Sequence, residues 1–229
     1  FTSLGYMLGK HAPGKMGLDN FFAAIHNATL AQSDGGRILR NEIKNVVVGT
    51  SFSCSEVKSY SSKKTDIDAA NRLDILMNRL FIEPTLGIGY PNDDFELMDK
   101  LHFSTKAWKY TERMKFDFDF IGLQNYFTIT VKHNSIVPYV QASEVTAKKR
   151  KAAHTDLGWE INADSFYNMI KRFWAYNGVN QIIITENGAC YKDVLENGVI
   201  NDDKRIAYFQ QYIRAMHKAK TEGVNIGGY

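Results

Sequence analysis

Cys54 and Cys190 are the only cysteines among 229 residues. Neither has a partner at metal-ligand spacing, so no disulfide framework and no zinc site is expected, and both read as free thiols. Proline is almost as scarce, with four residues, and no proline-, glycine- or serine-rich linker divides the chain, which favours one domain or part of one. The chain also lacks a run of eighteen apolar residues and a charged-then-apolar leader, so no membrane span and no export signal are read in it. Charge of one sign is not concentrated either. A net charge of +3 spread over this length does not make the basic face that phosphate backbones require, and nucleic acid is not an expected partner. What remains is an ordinary globular composition, 44% hydrophobic and 23% charged, sufficient to bury a sizeable core.

Short β-branched runs alternate with helical patterns, the order that predicts parallel strands joined by crossover helices and an α/β fold. Strands are expected at 46–48, 118–121, 181–184 and 224–226. The clearest helix spans 164–176, where Phe166, Met169, Ile170, Phe173 and Trp174 share one face behind Asp164 as N-cap. A second spans 202–222, striped by Ile206, Phe209, Ile213 and Met216, with Asp202 and Asp203 in its first turn and Gly223 at its stop. Earlier helices are expected at 19–40 and at 66–81, the latter striped by Leu73, Leu76, Met77 and Leu80. Residues 131–162 read as a long polar loop of the kind that forms lids or binding segments. Its Lys148-Lys149-Arg150-Lys151 run reads as a solvated patch rather than an anion site. His26, in line with Phe22 and Leu30, reads as a satisfied core residue, and His154 and Cys190 are given no role.

In a parallel barrel, side chains meet where the loops leave the C-terminal ends of the strands. That selects Thr50-Ser51-Phe52-Ser53, Gln124-Asn125-Tyr126-Phe127 and Thr185-Glu186-Asn187-Gly188. Glu186 follows three isoleucines, and a carboxylate at so apolar a mouth is expected to be partly desolvated and in need of a partner, the setting in which ionisation is tuned. A glutamate that caps a strand or pairs with a nearby Arg or Lys fits the same pattern.

The motifs are more specific together. Ile184-Thr185-Glu186-Asn187-Gly188, Asn125-Tyr126-Phe127, His11-Ala12-Pro13-Gly14, Gly89-Tyr90-Pro91, Gly158-Trp159-Glu160-Ile161, and Asp202 with Arg205-Ile206 and Tyr208 occur in an order that resembles glycoside hydrolase family 1, the β-glucosidase family. The resemblance covers all of residues 1–229 and about half of a typical member. It implies a portion of a (β/α)8 TIM barrel, from approximately the fourth crossover helix through the eighth strand, as a single domain truncated at both ends. It further implies that Glu186 is a carboxylate nucleophile forming a covalent glycosyl-enzyme, that Asn125 and Tyr126 bind the substrate, and that Phe127 and Asn187 stand behind them. The implied partner is a β-glucoside or related oligosaccharide, without metal or organic cofactor.

The retaining mechanism needs a second carboxylate. In the family it belongs to an Asn-Glu-Pro motif just before the segment that resembles residues 1–14, and further sugar-binding motifs follow the strand that ends here at Tyr229. The chain alone is therefore expected to fold poorly and to be inactive. Where the family has a second Tyr that bonds the nucleophile, this chain has Phe127. Either the hydrogen bond is lost and the nucleophile titrates higher, or Phe127 simply packs while Tyr126 or another donor takes over. A non-catalytic glycan- or protein-binding relative and a 6-phospho-β-glycosidase are the competing readings.

Overall fold

The computed structural model of the chain describes residues 2–93 and 95–229. After a π-helical turn at Ser3–Met7, the elements begin with α1 (Leu18–Glu42), β1 (Gly49–Ser53), β2 (Val57–Ser59), α2 (Lys64–Asp74) and α3 (Leu80–Thr85). They continue with α4 (Glu96–Thr105), α5 (Thr111–Met114), β3 (Phe120–Gln124), β4 (Ile129–His133), β5 (Ala142–Glu144), α6 (Ala147–Arg150) and α7 (Ala163–Trp174). The last are β6 (Ile182–Glu186), β7 (Leu195–Glu196), β8 (Val199–Ile200), α8 (Asp203–Thr221) and β9 (Ile226–Gly228). Among the described residues no helix is long and apolar enough to cross a membrane.

The backbone groups into two compact units. The first holds the described residues up to Thr50 and those of Arg79–Phe118, and it is helical. Its core lies along α1, whose Phe21, Phe22, Ile25 and Leu30 recur at helical spacing and are buried. Gly36, on the same face, admits the ring of Phe116; a Cβ there would stand 2.7 Å from Phe116 Cε1. His26 is buried as expected but only half satisfied. Its Nδ1 lies 3.2 Å from Tyr90 Oη, and its Nε2 has no hydrogen-bond partner among the described residues.

The second unit, Ser51–Asn78 with Asp119–Tyr229, carries a four-stranded sheet in the order β1-β3-β6-β9. β6 pairs in parallel with β3 and with β9, and α7 and α8 are the crossovers on either side of it. Every strand of this sheet lies two or three residues beyond the β-branched run that signalled it, except β6, which starts one residue later than expected and ends on Glu186. An apolar run marks where a strand is buried, whereas the ladder continues into the polar residues at its C-terminal end. Val47, inside the expected first strand, is 70% exposed.

The expected loop at 131–162 is partly ordered. It holds the end of β4, then β5 and α6, and β4 joins a mixed sheet in the order β2-β4-β5. The basic run is not uniformly solvated: Arg150 pairs with the buried Glu160, while Lys148, Lys149 and Lys151 are exposed. The helix expected at 66–81 runs longer, as α2, a π-helical stretch at Ile75–Arg79 and α3. The extra residue per π turn rotates the buried face, so Ile75 and Asn78 are buried with Leu80, and Leu73, Leu76 and Met77 are only half-buried.

α7 matches its predicted face, but its N-cap is Asn162, whose Oδ1 accepts from Ser165 N at 3.0 Å, while Asp164 sits inside the first turn. α8 differs more. Ile206 and Ile213 are exposed, and the buried face is formed by Tyr208, Tyr212 and Ala219. Tyr208 and Tyr212 stack with ring centroids 4.0 Å apart, and Tyr212 lies against Phe166 of α7 at 5.3 Å. A pattern counted on aliphatic residues misses such a face, because a tyrosine ring buries as much apolar surface once its hydroxyl has a partner.

Candidate active site

The C-terminal ends of β1, β3 and β6 lie side by side, and their last residues are tied by hydrogen bonds rather than by packing. β3 and β6 run in register from Ile121↔Ile182 to Leu123↔Ile184, then shift so that Gln124 faces Glu186. The shift lets Asn125 N donate to Glu186 O at 2.9 Å. Cys54 N donates to Gln124 O at 2.9 Å, and the Asn125 carboxamide returns a bond from Nδ2 to Cys54 O, also 2.9 Å. Burial pushes the Cys54 thiol up to about 12, so it stays protonated and inert beside these carbonyls. Asn125 is thus buried and spends its amide on the strand ends.

Asn187 plays the matching part after β6. Its Nδ2 donates to Asn125 O at 2.7 Å and to Tyr208 Oη at 2.8 Å, and its Oδ1 accepts from Tyr229 Oη at 3.0 Å. Both of its side-chain N–H groups and its side-chain oxygen are engaged, which holds the residue that follows Glu186. Burial raises the Tyr208 hydroxyl well above the ordinary tyrosine value, so it remains a neutral partner.

The Glu186 side chain itself is exposed: Ile184 is buried, but Thr185 and Glu186 project beyond the covered part of β6. Its partner is Tyr126, whose Oη donates to Glu186 Oε2 at 2.7 Å. That bond is the main reason the phenol is pushed up to about 12, with desolvation second. Phe127 makes no such bond and lies against Trp159, ring centroids 5.0 Å apart, while Tyr126 contacts the same indole at 5.6 Å. Of the two arrangements considered for position 127, the structure therefore holds the one in which Phe127 packs and Tyr126 donates.

Sequence placed Ser51 and Thr185 in the strand-mouth segments without a role, and did not single out Gly122. Ser51 of β1 and Thr185 of β6 join hydroxyls at 2.7 Å across β3, and they can do so because the residue between them is Gly122. Glycine in a strand centre is the signal for such a close approach. Among the described residues no group of three His, Cys, Asp or Glu side chains is placed to hold a metal ion. The arrangement is that of an exposed carboxylate at the end of a parallel strand, held by one hydroxyl and a rigid backbone: suited to nucleophilic attack or to general base work.

Comparison with known proteins places the chain in a family. The family described as Glycosyl hydrolase family 1 matches residues 1–229. β-Glucosidase A of Acetivibrio thermocellus is 31% identical over 233 residues, covering 99% of this chain and 51% of that protein. A 6-phospho-β-galactosidase of Leptotrichia buccalis is 26% identical, covering 98% of this chain and 54% of that protein. The solved family 1 β-glucosidase from Thermotoga maritima superposes with a TM-score of 0.91 at 28% identity, covering 100% of this chain and 51% of that one. The chain spans about half the length of the curated relatives it matches, and its α/β fold is a portion of a (β/α)8 barrel.

Proposed function

Because the chain belongs to glycosyl hydrolase family 1, we propose that Glu186 is the nucleophile of a retaining β-glycosidase, acting on β-glucosides in a longer polypeptide that supplies the second carboxylate. The observation that carries this reading is the Glu186 carboxylate at the mouth of β6, with Oε2 held by Tyr126 and no hydrogen bond to Oε1 from the described residues. A carboxylate so held has one oxygen fixed and one free to attack. In the first step Oε1 bonds the anomeric carbon as the aglycone oxygen leaves with a proton from the acid/base residue. In the second, water attacks the same carbon, gives its proton to that residue, and displaces Glu186 with net retention. The two carboxyl groups of such a pair stand roughly 5 to 5.5 Å apart, a spacing that leaves no room for the water an inverting enzyme inserts. A β-glucoside is favoured as substrate over a 6-phosphorylated glycoside by the higher identity to the β-glucosidase.

The test is replacement of the attacking group in that polypeptide. Glu186→Gly is expected to reduce kcat on an aryl β-glucoside by on the order of 10⁴-fold or more. Added azide, entering the vacated space, should restore turnover and yield the α-glycosyl azide, the product of a single inversion. Retained activity in the variant, or a β-configured azide product, would exclude Glu186 as nucleophile.

A further inference from the structure

The Lys148-Lys149-Arg150-Lys151 run divides once it is folded. Arg150 pairs with the buried Glu160, Lys149 is exposed, and Lys148 and Lys151 line an open cavity of about 880 Å³ in the second unit. Lys204, from the first turn of α8, lines the same cavity, its Nζ 5.3 Å from the centre of the Tyr191 ring. We propose that this cavity binds a small organic anion, a phosphate, sulfate or carboxylate joined to an apolar body, through the ammonium groups of Lys148, Lys151 and Lys204.

Charge supports it first. None of the three lysines has an ion pair among the described residues, unlike Lys58, Lys64, Lys100 and Lys171. The lining holds one carboxylate, Asp156, whose Oδ2 accepts from Lys192 N at 2.8 Å. Three ammonium groups against one carboxylate leave the cavity positive, and an anion among them removes their mutual repulsion. Unmet hydrogen bonding supports it independently. Thr155 belongs to the lining and is 1% exposed, and its Oγ1 has no hydrogen-bond partner among the described residues. A hydroxyl buried in that state is costly, and an oxygen of the anion is the acceptor it lacks.

The rest of the wall says what the anion is attached to. Ile161, the Tyr191 ring and Leu157, which is 58% exposed, set apolar surface beside the charges. Desolvation, and then the charge of Asp156, raise the Tyr191 phenol above its ordinary value, so it stays a neutral donor. Inorganic phosphate uses the charges but not this surface, so an aryl phosphate is the better ligand.

Both sides of the cavity are tied to the strand ends. Asp156 N donates to Cys190 O at 3.1 Å, and Arg205 holds Tyr191 O from Nη2 at 2.6 Å. Tyr191 follows Glu186 by five residues, which span about 18 Å at full extension. Two sources of the anion fit that placement: the aglycone of a glucoside whose sugar lies at Glu186, or a separate small molecule.

Calorimetric titration of the polypeptide that contains this chain tests the site without turnover, and so independently of the reading of Glu186. Phenyl phosphate is expected to bind with Kd of about 1 mM or below, inorganic phosphate more weakly, and phenol not measurably. Raising salt from about 0.02 M to about 0.5 M should weaken phenyl phosphate binding. Lys148→Met combined with Lys151→Met should weaken it about 10-fold or more, as should Lys204→Met from a different element. Lys149→Met, which removes the same charge from the same run, should leave it unchanged. No binding of phenyl phosphate, phenol binding as tightly, or an equal loss in Lys149→Met would overturn the proposal. The source is read from kcat/KM on 4-carboxyphenyl and 4-methylphenyl β-glucosides. An anionic aglycone requires the ratio of the first to the second to fall about 10-fold in the Lys148→Met, Lys151→Met variant. An unchanged ratio with phenyl phosphate binding lost assigns the site to a separate anion.

Discussion

His26 shows what burial without full satisfaction does at a single residue. It is 7% exposed, bonded through Nδ1 to Tyr90, and its Nε2 has no partner among the described residues. Desolvation, with a smaller contribution from the positive charge of Arg113, lowers its pKa below the ordinary value of 6.5. A histidine lowered on folding is neutral in the native state, and the unfolded chain takes up the proton first as pH falls. Stability should therefore be level above pH 6.5 and decline below it, through the interval down to the lowered folded value. Denaturation midpoints followed from about pH 8 to about pH 5 should show this decline, and His26→Gln should reduce it; a profile identical in both would remove His26 as the cause. Such a residue was legible in part. Its apolar spacing announced burial, but whether a second partner reaches Nε2 depends on helices far away in sequence. The same holds at the strand ends. Glu186, Asn125 and Asn187 were found by motif, while what Asn125 and Asn187 do, binding carbonyls across strand ends, follows from a register shift that no local pattern encodes.

Among the elements, β3 carries the clearest test. Its Gly122 lies between Ser51 and Thr185, and a Cβ there would come within 2.9 Å of Ser51 Cβ and Thr185 Cγ2. Gly122→Ala should therefore part the two hydroxyls now 2.7 Å apart and push the end of β6 outward, costing about 1–3 kcal/mol as overpacking does. A urea midpoint unchanged by the substitution would show that the sheet accommodates a methyl there. The elements also show where sequence patterning works. α7, with aliphatic and aromatic residues on one stripe, was readable because burial and apolarity coincide. α8 was placed correctly along the chain but turned to the wrong face, since its buried side is made of Tyr208 and Tyr212. The strands were found and displaced, because their polar ends belong to the ladder yet carry the chemistry.

For the whole molecule, two compact units hold different parts of the account. The second unit brings Glu186, Tyr126, Asn125, Asn187 and the aromatic contacts of Trp159 together. Family and fold class were legible from the motifs that follow the strand ends and from their order along the chain. The mixed sheet β2-β4-β5 was not, since its strands are short, polar and paired over long separations. The central claim is that Glu186 forms the covalent intermediate. The most direct measurement is to incubate the polypeptide containing this chain and its acid/base carboxylate with 2,4-dinitrophenyl 2-deoxy-2-fluoro-β-glucoside, then map the inactivated protein by peptide mass spectrometry. The account predicts a single fluoroglucosyl adduct on the peptide containing residues 184–188, carried by Glu186. An adduct on any other residue, or turnover without a trapped adduct and with an inverted first product, would contradict it.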